Sequence, residues 1–216
     1  MPVSSYVKDK FIACDLSKFT SAALPDMSSV DKEQQHWLAN FILNSVLRVP
    51  VPQSTYQQIF TFLRRSHSAF DSYARAREAT LTFLADEEQP PMQYLDAIGH
   101  WEAFLQYAWQ AYDSLRGGRL KFFESMDGSY LDRLNRLHNA AKHVPANISN
   151  GDLQRDPERF SPLAVWLTNQ GLQGYDCSVS FVEIIEILEE LALWASAVQD
   201  PATMRERINA FYENHT

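Results

Sequence analysis

Residues 92–116 read MQYLDAIGHWEAFLQYAWQAYDSLR and carry apolar side chains at spacings of three and four along the whole stretch. This spacing places the apolar side chains on one face of an α-helix, so the stretch predicts a long amphipathic helix. Gly117 and Gly118 come directly after it and predict its end, because glycine is favoured just beyond a helix C-terminus. The apolar face of such a helix must be covered, which favours a fold in which other helices pack against it.

Helical spacing also occurs on both sides of this stretch. It predicts helices over residues 28–48, 54–85, 129–145 and 180–198, and each of these opens on a serine that is followed by a capping-box partner three residues later. A last short helix is predicted over residues 200–213, where proline occupies the favoured first position. The four predicted capping boxes are Ser28 with Asp31, Ser54 with Gln57, Ser129 with Asp132, and Ser180 with Glu183.

Three segments lack this helical spacing. Residues 1–27 form an N-terminal tail of uncertain structure, for which a short docked strand or an irregular segment are both open. Turn-forming residues over 145–162 predict a loop, and short β-prone runs near residues 163–178 predict a small β-hairpin. The sum is a mostly α, up-and-down helical bundle of about five to six helices with a small β-hairpin insertion, in a single domain over residues 1–216.

Composition limits the classes of partner. The chain has 216 residues, is 45% hydrophobic and has a formal net charge of −8, so it can bury a core but has no general electrostatic attraction for nucleic acid. A polyanion would have to bind a local patch, and residues 116–143 offer one with six Lys or Arg against three acids. No run approaches the roughly 18 apolar residues of a membrane span, and no secretory signal precedes the helices, which indicates a cytoplasmic protein without membrane contact.

The sequence offers no cofactor or metal motif. Cys14 and Cys177 lie far apart, so they predict two reduced, buried thiols and neither a disulfide framework nor a zinc site. Asp96 and His100, one helical turn apart, supply only two ligands of the set that a metal needs. No glycine-rich phosphate loop or nucleophile elbow is present, which excludes the nucleotide hydrolases of those classes.

The basic patch contains the helical stretch LDRLNRLHNAAKHVP, residues 131–145. Positions seven apart fall within about 20° of each other around a helix, so Arg136 and His143 share a face, whereas Arg133 and His138 point about 140° apart. Arginine can hold two phosphate oxygens, and histidine can take a proton from a 2′-hydroxyl or give one to a leaving oxygen. The pair therefore suits metal-independent RNA cleavage through a cyclic phosphate.

A purely structural interpretation of the same residues stays open. Lys142 and His143 fall in the last turn before Pro145, where cations are favoured by the helix dipole. The acid-rich segment over residues 152–200, with nine acids against two arginines, usually indicates a solvated face. It could also pair with the basic patch, either within the molecule or across a dimer.

The stretch RLHNAAKH begins at Arg136 and ends at His143. It resembles the R-x(4–6)-H signature of the HEPN superfamily of helical bundles, and its ending N-x-x-K-H is a common form of that signature. The resemblance implies a HEPN-like bundle over residues 28–198 that forms a homodimer whose motif helices meet in a shared ribonuclease cleft. It implies that Arg136 orients the phosphate and that His143 is the acid or base. Asn139, Lys142 and Arg133 would be supporting, phosphate-binding donors.

The resemblance also implies the setting of such a protein. HEPN-like proteins are common in toxin–antitoxin and phage-defence systems, so RNA or a nucleotide and a protein antitoxin are the expected partners. No cofactor and no metal are expected. Because some members of the superfamily have lost activity, the alternative is a non-catalytic interaction or dimerisation module.

Overall fold

The computed structural model of the chain describes residues 4–48, 51–116, 122–149 and 162–200. These residues are mostly α-helical, as the sequence predicts, and also form one small antiparallel sheet. The predicted C-terminal helix falls on residues beyond 200 and lies outside the described ranges. The elements are α1 Ser5–Phe11, a 3-10 helix Leu16–Lys18, α2 Ser28–Leu47, α3 Gln53–Ala85, α4 Pro91–Arg116, α5 Tyr130–Lys142, α6 Val144–Ser149, β1 Val165–Leu167, β2 Gly171–Gly174, β3 Ser178–Ser180 and α7 Phe181–Val198.

The long helices α3 and α4 form the centre of the fold and pack along most of their length. Near the connection between them, the rings of Phe83 and Tyr94 lie 5.4 Å apart, and further along those of Tyr73 and Trp101 lie 5.8 Å apart. The two helices therefore run antiparallel. Trp101 is fully buried and its indole Nε1 donates to Thr80 Oγ1 at 3.0 Å, so the large core ring keeps a hydrogen-bond partner. No described helix combines the length and apolar composition that a membrane span needs.

The N-terminal segment is folded against this pair; its described residues form no strand, and they are irregular over residues 19–27 but largely helical before them. Residues 5–11 are helix α1, and Phe19, which is 1% exposed, packs on Phe83 and Tyr94 at ring distances of 6.1 and 6.4 Å. Tyr73 donates its hydroxyl to the carbonyl oxygen of Pro25 at 2.7 Å. A helix this short is marginal alone, so tertiary packing determines its structure.

The expected hairpin is present as β1 and β2, but β3 extends it to three strands in the order β1-β2-β3. The turn between β1 and β2 is tied to the N-terminal segment, because Asn169 Oδ1 accepts the backbone N–H groups of Thr20 and Ser21 at 2.9 and 3.2 Å. The sheet contacts α4 and α5, and α7 packs on α2, α3 and α4. The contacts of the sheet therefore place β1, β2 and β3, which follow α5 in the chain, against α5.

The closest backbone approach in the sheet occurs at Gly171. A Cβ built there would lie 2.1 Å from the carbonyl oxygen of Val179 and 2.6 Å from the Cα of Ser180, both backbone atoms that cannot move alone. We expect Gly171→Ala to lower the free energy of unfolding by about 3 kcal/mol, since overpacking of this kind is costly. Chemical denaturation measures the change.

Gly99, on α4, is the matched control for this substitution. No atom lies within 4 Å of a Cβ built at Gly99, so Gly99→Ala is expected to gain up to about 1 kcal/mol from helix propensity. Equal changes in both variants would contradict the steric explanation.

Two of the four predicted capping boxes are wrong. Ser129 and Ser180 do cap α5 and α7, and Ser180 with Glu183 forms a complete capping box. By contrast, α2 includes Ser28, whose N–H bonds to the Asp26 carboxylate at 2.9 Å, and α3 begins directly after Pro52. An upstream carboxylate and a proline with fixed φ therefore define these two helix starts in place of the serines.

Candidate functional site

Helix α5 carries the predicted site and is fixed at both ends by local hydrogen bonds. Ser129 Oγ accepts the backbone N–H of Asp132 at 3.2 Å, and at the other end the N–H of His143 bonds to the carbonyl oxygen of Asn139 at 3.0 Å. The helix ends at Lys142, and Pro145 lies inside the following helix α6 rather than closing α5. The first part of the predicted 145–162 loop is therefore helical, because proline is well tolerated in the first turn of a helix.

Arg133 is directed toward the start of α7. Its guanidinium forms an ion pair with the Glu183 carboxylate and donates to the carbonyl oxygen of Ser178 at 3.2 Å. Burial disfavours the charged form of Glu183, but hydrogen bonds from Ser180 and Arg133 outweigh burial and lower the pKa of the carboxyl. Arg133 thus ties α5 to β3 and α7, and its donors are used within the molecule.

Arg136 is also paired. Its guanidinium binds the Asp176 carboxylate and lies 4.0 Å from Oδ2 of Asp132, which is 1% exposed. The hydrogen bond with Asp176 raises the pKa of Arg136. Burial disfavours the Asp176 charge, yet the hydrogen bond and charge of Arg136 prevail and lower the pKa of Asp176. Because the Asp176 side chain is 69% exposed, a competing anion can reach this pair from solvent.

Asn139, Lys142 and His143 form the exposed end of α5, and all three side chains face solvent. Asn139 Nδ2 donates to Asn135 Oδ1 at 3.0 Å, one turn earlier. The five predicted site residues therefore separate into two groups. Arg133 and Arg136 are bound by acids, whereas the end of α5 is open, and within the described ranges no hydrogen bond or ion pair joins Arg136 to His143.

The acid-rich segment meets the basic patch within the molecule, which was one of the two pairings that the sequence left open. Asp176 lies between β2 and β3 and Glu183 in the first turn of α7, so the small sheet and the α7 capping box place both carboxylates beside α5. At physiological salt, partly buried pairs of this kind are screened less than exposed ones. They neutralise part of the positive charge that the sequence assigns to α5.

His138 lies on a different face of α5 from Arg136 and His143, and it is buried against α4. Its ring is 7% exposed and stacks on Trp109 with the ring centres 6.1 Å apart. Burial lowers the pKa of His138, and the nearby charges of Lys142 and His143 act in the same direction. Its burial could have been predicted, because it lies four positions after Leu134 and seven after Leu131 on the apolar face.

A cavity of about 590 Å³ lies between α4 and α5, and His138 and Lys142 are among its lining residues. Most of the lining comes from one stripe of α4 that includes Glu102, Trp109 and Asp113. Burial raises the pKa of Glu102. No sequence pattern predicts this cavity, since it depends on how the two helices are oriented.

Metal-ligand clusters are not found among the described residues, where no group of three His, Cys, Asp or Glu side chains could hold an ion. Asp96 and His100 are neighbours on α4 at 3.9 Å, as their spacing predicts. Cys14 and Cys177 are both buried, as the sequence predicts, and no disulfide joins them.

Comparisons of the chain with protein-family models, with curated proteins and with solved structures found no match. Any function must therefore be argued from the side chains themselves. The open end of α5 offers an imidazole, an ammonium and a carboxamide, which together can bind a phosphodiester and transfer a proton.

Proposed function

We propose that the chain is a HEPN-like protein that binds RNA at the open end of α5 and cleaves it without a metal ion. The observation that carries the proposal is the exposure of His143, Lys142 and Asn139 at one helix end. His143 comes seven positions after Arg136 and therefore shares its face. A buried or paired imidazole could not reach a 2′-hydroxyl, and this one is accessible. The resemblance of RLHNAAKH to the HEPN signature supports the same assignment.

In the proposed reaction the His143 imidazole takes the proton of an RNA 2′-hydroxyl. The freed 2′-oxygen attacks the adjacent phosphorus, the bond from phosphorus to the 5′-oxygen breaks, and a 2′,3′-cyclic phosphate forms. The leaving 5′-oxygen takes a proton from solvent water, and the proton on His143 is released to solvent. Arg136 leaves Asp176 for the phosphate and neutralises the charge that builds on it in the transition state. Asn139, Lys142 and Arg133 are the supporting donors. Like Arg136, Arg133 would have to leave its carboxylate partner, Glu183, to bind the phosphate.

The remaining parts of the proposal rest on the resemblance. They are an up-and-down bundle of the HEPN type over residues 28–198, a homodimer in which two α5 ends face a shared cleft, and a role in a toxin–antitoxin or phage-defence system with a protein antitoxin. A cytoplasmic location fits such a role.

RNA cleavage in EDTA tests the proposal. Purified wild-type protein is incubated with total transfer RNA and with a mixed-sequence single-stranded RNA, and the products are examined for 2′,3′-cyclic phosphate ends. The same strand with 2′-deoxy sugars is the substrate control, because it lacks the attacking hydroxyl. Cleavage of the RNA but not of the 2′-deoxy strand supports the proposal. The absence of both cleavage and RNA binding would show that it is wrong.

A non-catalytic interaction module is the second candidate, and the ion pairs of Arg133 and Arg136 favour it. When both arginines are satisfied by Glu183 and Asp176, α5 is built as a structural helix that offers little positive charge to a phosphate. RNA binding without cleavage in the same assay, unaffected by substitution of His143, would support this candidate and contradict the enzyme.

The Asp176 pair gives a prediction that separates the two roles of Arg136. Asp176→Asn removes the charge that holds the guanidinium, so we expect RNA affinity to rise by about three- to tenfold at low salt, where phosphate contacts are strongest. Fluorescence anisotropy with labelled RNA measures the change. Glu189→Gln, on an exposed position of α7, is the control because it changes the net charge equally. The same gain in both variants would mean that only net charge matters.

A further inference from the structure

The cavity between α4 and α5 has the properties of a ligand site that the proposed ribonuclease does not use. Its volume of about 590 Å³ falls in the range of small-molecule sites, and the buried indole of Trp109 forms one wall. The other lining side chains are mostly polar. Small-molecule sites are usually lined mostly by apolar side chains, so this lining is unusually polar and its polar groups decide the ligand.

These polar groups are mainly acceptors that lack donors. The Glu102 and Asp113 carboxylates make no hydrogen bond or ion pair with another described residue. His138 Nδ1 and Gln110 Oε1 are enclosed polar atoms without a hydrogen-bond partner in the described ranges. The buried imidazole of His138 is neutral at pH 7 because its pKa is lowered, so one of its ring nitrogens is an acceptor. Lys142 is a donor at the α5 side of the cavity, but the two carboxylates on α4 are left for a ligand that brings N–H groups.

The charge around the cavity is also unbalanced. Glu102 and Asp113 contribute two negative charges, and Lys142 contributes one positive charge at the α5 side. Arg65 lines a neighbouring groove together with Asp113, but its guanidinium lies over the Tyr107 ring, 5.4 Å from the ring centre. The described lining residues thus carry a net negative charge, which favours a cation, and an indole wall adds an attraction for ammonium groups.

The distance between the two carboxylates determines how long a cation must be to contact both. Glu102 and Asp113 lie eleven positions apart on α4, which corresponds to about 16 Å along the helix axis. A single ammonium cannot contact both, whereas a linear chain of about a dozen bonds of about 1.5 Å each can. We propose that this cavity binds a linear polyamine, extended along α4 with ammonium groups at Glu102 and Asp113 and its alkyl chain against Trp109.

Isothermal titration calorimetry on the full chain, free of nucleic acid and at low ionic strength, tests this. The ligands are spermine and spermidine as long polyamines, putrescine as a short diamine and adenosine monophosphate as an anion. We expect spermine to bind more tightly than putrescine by about tenfold or more, because only the longer chain reaches both carboxylates. Adenosine monophosphate is expected not to bind in the cavity.

Isosteric variants locate the site. Glu102→Gln and Asp113→Asn should each weaken spermine binding by about five- to tenfold, since each removes one charge-assisted hydrogen bond. Lys142→Gln should strengthen it by about twofold or more, because it removes a like charge at the rim. Glu189→Gln, on the exposed face of α7, is the control for net charge and should leave the affinity unchanged.

Each of the other outcomes contradicts the proposal. Equal weakening in Glu189→Gln and in the two cavity variants would mean that the acidic surface attracts polyamines without a site. Equal affinity for putrescine and spermine would contradict the bridging of the two carboxylates. Binding of adenosine monophosphate that is lost in Lys142→Gln would identify an anion site. None of these measurements uses RNA, so they are independent of the cleavage assay.

Discussion

His143→Ala is expected to lower the rate constant of RNA cleavage by about 10²- to 10⁴-fold, the usual contribution of a positioned acid or base. The substitution is expected to leave the fold unchanged. His143 caps α5 through its backbone N–H, which alanine keeps, and its side chain is exposed, so the free energy of unfolding should change by less than about 0.5 kcal/mol. Loss of cleavage in a normally folded variant would therefore be a chemical effect.

Matched variants distinguish chemistry from binding. His36→Ala removes another exposed histidine, on α2, and should cleave at the wild-type rate. Lys142→Ala should raise KM with little change in kcat, because a lysine that binds phosphate equally in ground and transition states contributes only uniform binding. Arg136→Ala should lower kcat as well, because its role is in the transition state. Equal cleavage by wild type and His143→Ala would remove the imidazole from the mechanism.

The sequence predicted α5 well because the information is local. Ser129 and the leucines at spacings of three define the start and the buried face of the helix, and both features are read from consecutive residues. The same reasoning placed Arg136 and His143 on one face. What it could not supply were the partners of the arginines, because Asp176 and Glu183 come some forty or more positions later and meet α5 only through the small sheet.

Apart from the two capping boxes and Pro145, the remaining errors of prediction have the same cause. Helix α1 is too short to be identified from its own propensity, and its position depends on how residues 13–25 pack against α3 and α4. Strand β3 has three residues, and only its pairing with β2 makes it a strand. The cavity beside His138 likewise requires the relative orientation of α4 and α5. Local pattern thus predicts elements, while contacts between distant segments determine the charge and shape of the candidate site.

One such distant contact connects three helices and gives a large expected effect on stability. Glu190 of α7 accepts the hydroxyl of Tyr112 from α4 and that of Tyr130 from the start of α5, both at 2.9 Å and both on Oε2. Tyr112 is 2% exposed, and burial together with the Glu190 charge holds its pKa well above the ordinary tyrosine value. Both phenols are therefore neutral donors to one carboxylate at neutral pH.

Glu190→Ala is expected to lower the free energy of unfolding by about 3 kcal/mol. It removes the hydrogen bonds from the two tyrosines and a longer one from Trp194 Nε1 at 3.4 Å, and it leaves the buried Tyr112 hydroxyl without that acceptor. Hydrogen bonds to charged groups contribute about 1.5–3 kcal/mol. For a chain of this size the melting temperature should fall by about 6–12 °C. Glu190→Gln keeps an acceptor oxygen of similar position and should lose only about 1 kcal/mol. Differential scanning calorimetry measures both.

The neighbouring residue gives the control for this contact. Glu189 is exposed on the same helix, so Glu189→Ala should change the free energy of unfolding by less than about 0.5 kcal/mol. A double variant, Glu190→Ala with Tyr130→Phe, should lose less than the sum of the two single losses, because both remove the same bond. Additive losses would mean that Glu190 stabilises α7 without joining it to α5, so that the polar attachment of α5 to the segment after it would depend on Arg133, Arg136 and Cys177.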